Sequence, residues 1–278
     1  MTDLQHLRSL ADACALDVTV GAPEQIVSCR VRSTGLPLVL AMGPGSSVVA
    51  STLLPTPPVA EEDLAGMTAQ LQARIPHARV HLRRPPGGGN VAYFDDFHAF
   101  DPAVPIDADW LRGSVQSLER AARASRLFGE PLEDSDALIS VFSADDAARH
   151  ETLKQILKSE GFSFSEVPRL LGGAAVVIDD EVGMRIMVRD GTLLFHVAVP
   201  FPEPFEVRAA FAAAVHAQLP FGRVLVGPPE SDVIVVEYPH RVGSTLTVFD
   251  VVHGFAAMSA VSEVMAGDDD GDTDGNVS

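Results

Sequence analysis

The chain has 278 residues, which is enough for about two domains, and 46% of them are hydrophobic, a fraction typical of globular proteins. Lys and Arg number 20 against 38 Asp and Glu, so the formal net charge is −18. This acidic balance argues against nucleic acid or an anionic membrane as a partner, because both are bound through basic surfaces.

The first half of the chain predicts three helices and five strands. A helix over residues 3–13 precedes strands at 25–32, 36–42 and 48–53, and prolines then separate this group from a helix over 60–74. Strands at 79–83 and 91–95 follow, and Asp107 is placed to cap a helix over 108–128. The strand at 36–42 is apolar on both faces, which predicts that both faces are covered.

The second half predicts the same order with clearer boundaries. Ser143 and Asp146 have the spacing of a capping box for a helix that ends at Ser159. Strands are predicted at 174–179, 184–189 and 193–199, and Asp190-Gly191 between the last two is a strong hairpin signal. A helix over 205–218, strands at 223–226 and 233–238, and a helix over 245–265 complete an α-β-β-β-α-β-β-α order.

One segment is repeated between the halves. Residues 71–82, LQARIPHARVHL, reappear 144 positions later as VHAQLPFGRVLV. The identical pairs are Ala73/Ala217, Pro76/Pro220, Arg79/Arg223 and Val80/Val224. A repeat with this spacing is a whole domain rather than a solenoid unit of about 20–50 residues. We therefore predict a tandem duplication, with domains at 1–130 and 136–267 that pack as a pseudo-dimer, and a disordered acidic tail at 268–278.

Several segments of the second half resemble a known family. They are LKQILKSEGF at 153–162, VVI at 176–178, MRIMVR at 184–189, LLFHVA at 193–198 and the turn LPFG at 219–222. Through them, residues 145–266 resemble the YbjN family and the related type III secretion chaperones, and the first half resembles them through the repeat. The resemblance implies an α+β fold, with antiparallel sheets and helices packed on one face. It also implies a chaperone-like role, in which the duplicated chain replaces a dimer that holds extended client segments.

Strand alternation divides the second half into two sheet faces. The face turned toward the helices is predicted to hold Met184, Ile186, Val188, Leu193, Phe195, Val197 and Val199. The outward face holds Ala198 and the candidate client-binding residues Arg185, Met187, Arg189, Leu194 and His196. A half-apolar surface with Met and Arg suits an adaptable contact. The alternative is that these residues are closed inside an interface between the two halves.

No reactive-residue motif accompanies these elements, so we expect neither an enzyme nor a bound metal or cofactor. The nine histidines form no metal-binding or catalytic spacing, and His253 is interpreted as a core histidine. Asp95, Asp96 and His98 are interpreted as a packed loop with surface acids rather than as a metal or acid–base cluster.

Other candidate motifs also favour structural interpretations. The glycines at 87–89 lie between two strands and lack the ending of a phosphate loop. Cys14 and Cys29 are interpreted as small buried hydrophobes, although a pairing between them stays open. Residues 270–275 match only the first part of a calcium-binding loop, so weak cation binding by the tail is left open.

The sequence contains no apolar run long enough to span a bilayer and no secretory signal at its beginning, so we predict a cytoplasmic protein. Few lysines beside abundant Ala, Gly and Pro indicate a GC-rich bacterial genome. The predicted function is a non-enzymatic, chaperone-like protein that binds a peptide or protein client through apolar sheet or helix surfaces; homo-oligomerisation stays open. The alternative is a structural or regulatory scaffold whose apolar surfaces are buried in its own assembly.

Overall fold

The computed structural model describes residues 3–19, 26–43, 46–56, 60–75, 77–83, 89–126, 143–166, 173–178, 181–219 and 221–266. Over these residues the protein has the predicted α+β fold, with two antiparallel sheets and six α-helices. The predicted linker after residue 130, the acidic tail and most of the glycine turn at 84–88 lie outside the described residues.

The first half forms one six-stranded sheet. α1 (Leu4–Ala13) precedes β1 (Leu16–Val18), β2 (Ile26–Val31), β3 (Pro37–Gly43) and β4 (Ser47–Pro55). A short 3-10 helix (Glu61–Asp63) leads into α2 (Leu64–Arg74), which is followed by β5 (Arg79–Arg83), β6 (Val91–Ala99) and α3 (Ala108–Arg126). The spatial order is β1-β2-β3-β4-β6-β5, and every neighbouring pair is antiparallel.

The second half forms the other sheet. α4 (Ala144–Ser159) precedes β7 (Ser163–Glu166), β8 (Gly173–Ile178), β9 (Glu181–Arg189) and β10 (Thr192–Pro200). These are followed by α5 (Phe205–Gln218), β11 (Arg223–Val226), β12 (Val233–Arg241) and α6 (Val248–Ala266). The spatial order is β7-β8-β9-β10-β12-β11, again with antiparallel neighbours.

The two sheets therefore have the same strand order. Each also contains one strand that the sequence patterns do not predict, namely β1 with three residues and β7 with four. Both lie at a sheet edge, and runs this short show no alternation that can be recognised in a sequence. The predicted order of elements thus holds in each half, with one short edge strand added.

Two local signals in the second half are confirmed in detail. The Ser143 hydroxyl accepts a hydrogen bond from the Asp146 amide at 3.0 Å, and the Asp146 carboxylate accepts one from the Ser143 amide at 3.1 Å. This capping box fixes the start of α4. At the turn between β9 and β10, Asp190 and Gly191 have φ angles of 47° and 66°. Two successive positive φ angles form the turn whose twist matches an antiparallel hairpin.

One face of each sheet packs against helices and forms a hydrophobic core. In the second half, the predicted inward residues Met184, Ile186, Val188, Leu193 and Phe195 are buried, whereas Val197 and Val199 are half-buried. On β3, Leu38 and Leu40 are buried but Val39 and Ala41 on the opposite face are only half-buried. The predicted cover over both faces of that strand is therefore incomplete.

Gly254 of α6 gives a test of core packing. A Cβ atom at this position would overlap the ring of Phe195, which is fully buried. We expect Gly254→Ala to lower the free energy of unfolding by about 1–3 kcal/mol, although Gly→Ala in a helix usually raises it by about 1 kcal/mol. Gly66→Ala in α2 is the matched control, because a Cβ there meets no atom within 4 Å. Urea unfolding of both variants measures the difference; equal stability of Gly254→Ala and the unmodified protein would contradict this packing.

Candidate functional site

The two halves meet through matching elements. α2, β5 and β6 of the first half lie against α5, β11 and β12 of the second half, with α2 beside α5. Ala69 of α2 is buried in the hydrophobic core of the second half. Phe97 of β6 packs against Phe221, with ring centroids 5.7 Å apart. This junction also holds a set of buried charged residues.

Two arginines cross the junction in opposite directions. Nη1 of Arg79 donates a hydrogen bond to the carbonyl oxygen of Leu219 at 2.7 Å. Nη1 of Arg223 donates to the carbonyl oxygens of Ile75 and Ala78, the latter at 3.1 Å. Arg223 and Leu219 lie 144 positions after Arg79 and Ile75. Each half therefore gives the other the same contact, as the two subunits of a symmetric dimer do.

A carboxylate on the neighbouring strand holds each of these arginines. Arg79 pairs with Asp95 at 3.1 Å, and Arg223 pairs with Glu237. Nε2 of His196 lies 2.7 Å from the other carboxylate oxygen of Glu237. Burial raises the pKa of Glu237, but the charge of Arg223 and the contact with His196 outweigh it and hold that pKa well below its usual range. Glu237 is therefore a buried carboxylate that stays ionised.

β6 and β12 extend into the junction beyond their predicted ends at 95 and 238. Both strands show the same pattern of buried and half-buried positions along their nine residues. The fourth to sixth residues are all buried, so both faces of each strand are covered there. Asp96 of β6 pairs with Arg241 of β12 at 3.3 Å, and both side chains are almost fully buried. A Cβ on Gly113 of α3 would overlap the Arg241 guanidinium, so this glycine leaves the space that the arginine fills.

The interpretation of Asp95, Asp96 and His98 as a loop with surface acids is wrong. All three belong to β6 and are buried, with exposed fractions of 4%, 3% and 5%. Burial of the two acids is compensated by Arg79 on the neighbouring strand and by Arg241 from the other half. The group is part of the junction, where its charges are paired.

His98, His240 and His253 lie close together beside the ion pair of Asp96 and Arg241. The rings of His98 and His240 have centroids 5.2 Å apart, and His240 Nε2 lies 2.8 Å from a carboxylate oxygen of Asp250. Burial and the neighbouring His240 hold the pKa of His98 well below its usual range. His253 is half-buried and stacks on Phe249, so it lies at the edge of the core rather than inside it.

A cavity of about 170 Å³ opens beside these histidines, between the start of α3 and the start of α6. Its lining includes His98, Phe100, Asp101, Asp107 and Trp110 from the first half, and Thr247, Phe249 and Asp250 from the second half. Nδ1 of His98 and Nε1 of Trp110 are buried and have no hydrogen-bond partner among the described residues. The cavity therefore combines aromatic walls, carboxylates and unpaired polar nitrogens. No sequence motif indicated it, because its residues come from both halves.

The candidate client-binding residues lie on β9 and β10 at different depths. Arg185 is exposed, and Met187 and Arg189 are half-buried. Leu194 is only 7% exposed, and His196 lies against Glu237 at the edge of the junction. Leu194 and His196 on β10 are thus less accessible than Arg185 on β9. Client binding by these five residues stays a prediction.

The described residues include potential metal-binding side chains, two cysteines and six α-helices. They contain no group of three or more His, Cys, Asp or Glu side chains arranged to hold a metal ion. Cys14 and Cys29 are free thiols; Cys29 is buried and Cys14 is half-buried. None of the helices within these ranges is long and apolar enough to cross a lipid bilayer.

Comparison with known proteins finds little similarity. No protein-family model matches the sequence, and no curated protein matches it. Among solved structures, part of the chain is similar to the crystal structure of YbjN from E. coli, a proposed transcription regulator. The match has 12% sequence identity and a TM-score of 0.37, and it covers 43% of this chain and 88% of the YbjN chain. A likeness at this level carries no argument about function or about duplication.

Proposed function

We propose that this protein is a non-enzymatic, chaperone-like scaffold that binds a peptide or protein client. In this proposal the two halves are duplicated domains that act as a dimer within one chain. The reciprocal contacts of Arg79 and Arg223 support that arrangement, because they make the junction self-complementary. The buried ion pairs at the junction would hold the two halves in a fixed relation, so that a client surface is presented by a rigid body.

The observation that carries the proposal is an apolar stripe on the outer face of α6. Val248 and Val252 are 43% and 46% exposed, and Ala256 continues the stripe one turn later. α3 has the same length and follows the corresponding strand of the first half. At the matching positions it carries Ala108, Arg112 and Gln116. The polar surface of α3 is usual for a solvent-facing helix, whereas an exposed apolar stripe is typical of a binding surface.

The charge of the chain indicates the chemistry of the client. With a net charge of −18, the protein attracts positively charged partners and repels acidic ones. We therefore propose a client segment that combines apolar side chains, which would pack on Val248 and Val252, with Lys or Arg. Arg185 and Met187 on the open part of the second sheet offer a second contact surface for the same client.

A second function is favoured by the burial of Leu194. That side chain belongs to the predicted client face, yet it is 7% exposed beside the closed junction. A structural or regulatory scaffold would use its apolar surfaces in this way, within its own assembly. Such a protein has no client, and the exposed valines of α6 would then serve no partner.

A pull-down from the native cytosol distinguishes the two functions. The full-length protein is compared with three variants, Val252→Asp, Gln116→Asp and Met187→Asp. We expect Val252→Asp to weaken capture of a specific partner by about tenfold or more, because a buried charge replaces an apolar contact. Gln116→Asp is the matched control, since it adds the same charge to the exposed face of α3. A direct titration with the purified partner then gives the change in Kd.

Each result has a separate meaning. Loss of the partner with Val252→Asp but not with Gln116→Asp supports a client on α6. Loss only with Met187→Asp keeps a client and moves its site to the sheet. Partners retained equally by all variants, or no specific partner, would overturn client binding in favour of the scaffold. Val252→Asp is expected to change stability by less than about 1 kcal/mol, because the side chain is exposed.

A further inference from the structure

The cavity between the starts of α3 and α6 has an unusual combination of walls. Three carboxylates, those of Asp101, Asp107 and Asp250, belong to its lining together with the rings of Phe100, Trp110 and Phe249. No Lys or Arg is found among the described residues that line it. Carboxylates beside aromatic rings are the surroundings in which proteins bind organic cations, through charge and through the faces of the rings.

Two of the carboxylates that line the cavity, those of Asp107 and Asp250, are held ionised. Burial raises the pKa of Asp107, but bonds from the backbone of Trp110 and Ser244 outweigh it and leave the pKa below its usual value. Burial likewise raises the pKa of Asp250, and the bonds from His240 and Thr247 outweigh it. The two helix N-termini contribute about half a positive charge each, which does not cancel three carboxylates. The cavity therefore favours a positive ligand.

Two buried nitrogens beside the cavity are available to a ligand. Trp110 is 1% exposed and His98 is 5% exposed, and both residues line the cavity. Neither Trp110 Nε1 nor His98 Nδ1 has a hydrogen-bond partner within the part of the chain that the structure describes. A buried donor left unpaired costs about 1–3 kcal/mol, so such groups are normally satisfied. Nδ1 of His98 can accept a hydrogen bond from the cation in the tautomer that leaves this nitrogen without a proton, and Trp110 Nε1, which only donates, would be satisfied by a water bound with the ligand.

We propose that this cavity binds an organic cation, namely a guanidinium or ammonium group on a short aliphatic chain. Its volume of about 170 Å³ matches a ligand of that size, since an engineered cavity of about 150 Å³ holds benzene. A metal ion fits less well, because the described residues include no cluster of metal-binding side chains. The cation is either a free small amine or the side chain of Arg or Lys in a partner. This proposal stands on the cavity alone and does not require the client surface on α6.

Trp110 makes the test direct, because it is the only tryptophan of the chain. The full-length protein is titrated with butylguanidinium and butylammonium, and its tryptophan fluorescence is recorded. Butylurea, which has the same shape without the charge, is the neutral control. N-acetylarginine methylamide represents a side chain within a peptide. We expect a saturable fluorescence change with the cations and none with butylurea. Tighter binding of the capped arginine assigns the site to a partner side chain, and its exclusion assigns the site to a free amine.

Asp101→Asn/Asp107→Asn tests the role of the charges. Asn at 101 can accept the bond from the Ala103 amide, and Asn at 107 can keep the helix cap to Trp110 but loses the bond from the Ser244 amide. We expect a folded protein that binds the cation about tenfold or more weakly. Asp145→Asn/Glu151→Gln on α4 changes the net charge equally at exposed positions and is expected to bind as the unmodified protein does. If the double variant fails to fold, Asp101→Asn alone replaces it. An equal response to butylurea, no saturable response, or unchanged affinity in the Asn variant would overturn the proposal.

Discussion

Replacing Arg223 by Met is expected to lower the free energy of unfolding by about 3–5 kcal/mol. The guanidinium is 5% exposed and pairs with Glu237, which is 3% exposed. Without it, Glu237 is left as a buried carboxylate, the carbonyl oxygen of Ile75 loses the bond from Arg223, and that of Ala78 keeps only the bond from Gln72. Removing one partner of a buried ion pair costs about this much, because the remaining charge has lost its compensation. Urea unfolding at neutral pH, followed by circular dichroism, measures the change.

Arg79→Met is the matched control in the other half. Arg79 makes the corresponding contact with Leu219, but its side chain is 18% exposed and water reaches it more easily. We expect a smaller loss, about 1–3 kcal/mol. Arg223→Met/Glu237→Leu should recover part of the loss of the single Arg223 variant, because both charges of the pair are then absent. Losses below about 1 kcal/mol in both single variants would show that the arginines do not hold the junction.

Local signals in the sequence predict most elements of the fold. Ser143 with Asp146 marks the start of α4, and Asp190-Gly191 marks the turn between β9 and β10. Helix α5 and strands β5 and β11 have the predicted boundaries. Each of these features depends on a few adjacent residues, so the sequence contains the whole signal. The repeated segment also predicts the common strand order of the two sheets.

The junction could not be predicted in the same way, because its contacts join distant residues. Asp is rare in strands, so Asp95 and Asp96 indicate a loop when their partners are unknown. Asp96 is stabilised by Arg241, which lies in the other half of the chain. A partial signal was available, since Arg79 and Arg223 are identical in the repeat and each is followed by an acid on the next strand. Alternation predicted the faces of β9 and β10, but not which part of a face the other half covers.

The stability of the protein is expected to fall by more than about 1.4 kcal/mol per pH unit between pH 5.5 and pH 4.5, which is the slope that one histidine contributes when it is neutral only in the folded protein. Burial, together with the charges of His81 and nearby arginines, lowers the pKa of His216 to about 2. Burial also holds the pKa of His98 well below its usual value. His216 is therefore neutral in the folded protein over this range, whereas in the unfolded chain it binds a proton below about pH 6.5. The lowered pKa values of His98, His77 and His253, the last at about 4, act in the same direction.

The sign of the effect follows from the proton balance. The unfolded state binds more protons than the folded state, so lowering the pH stabilises the unfolded state by up to about 1.4 kcal/mol per unit for each of these histidines. The buried carboxylate of Glu237 acts in the same direction at lower pH, because its pKa is also depressed in the folded protein. Urea unfolding at a series of pH values measures the slope.

The His216→Gln variant removes one of these histidines and so measures its contribution to the pH dependence of stability. The first half has Gln72 at the matching position, where its amide donates to the Ala78 carbonyl and accepts from the Val80 amide. Glutamine at position 216 is therefore compatible with this architecture, and the slope is expected to decrease by about 1.4 kcal/mol per pH unit. Val215→Ala, at a neighbouring buried position, should lower stability at every pH and leave the slope unchanged. An unchanged slope in His216→Gln would mean that His216 binds its proton equally in both states. The junction would then have to admit water or a counter-charge to that ring.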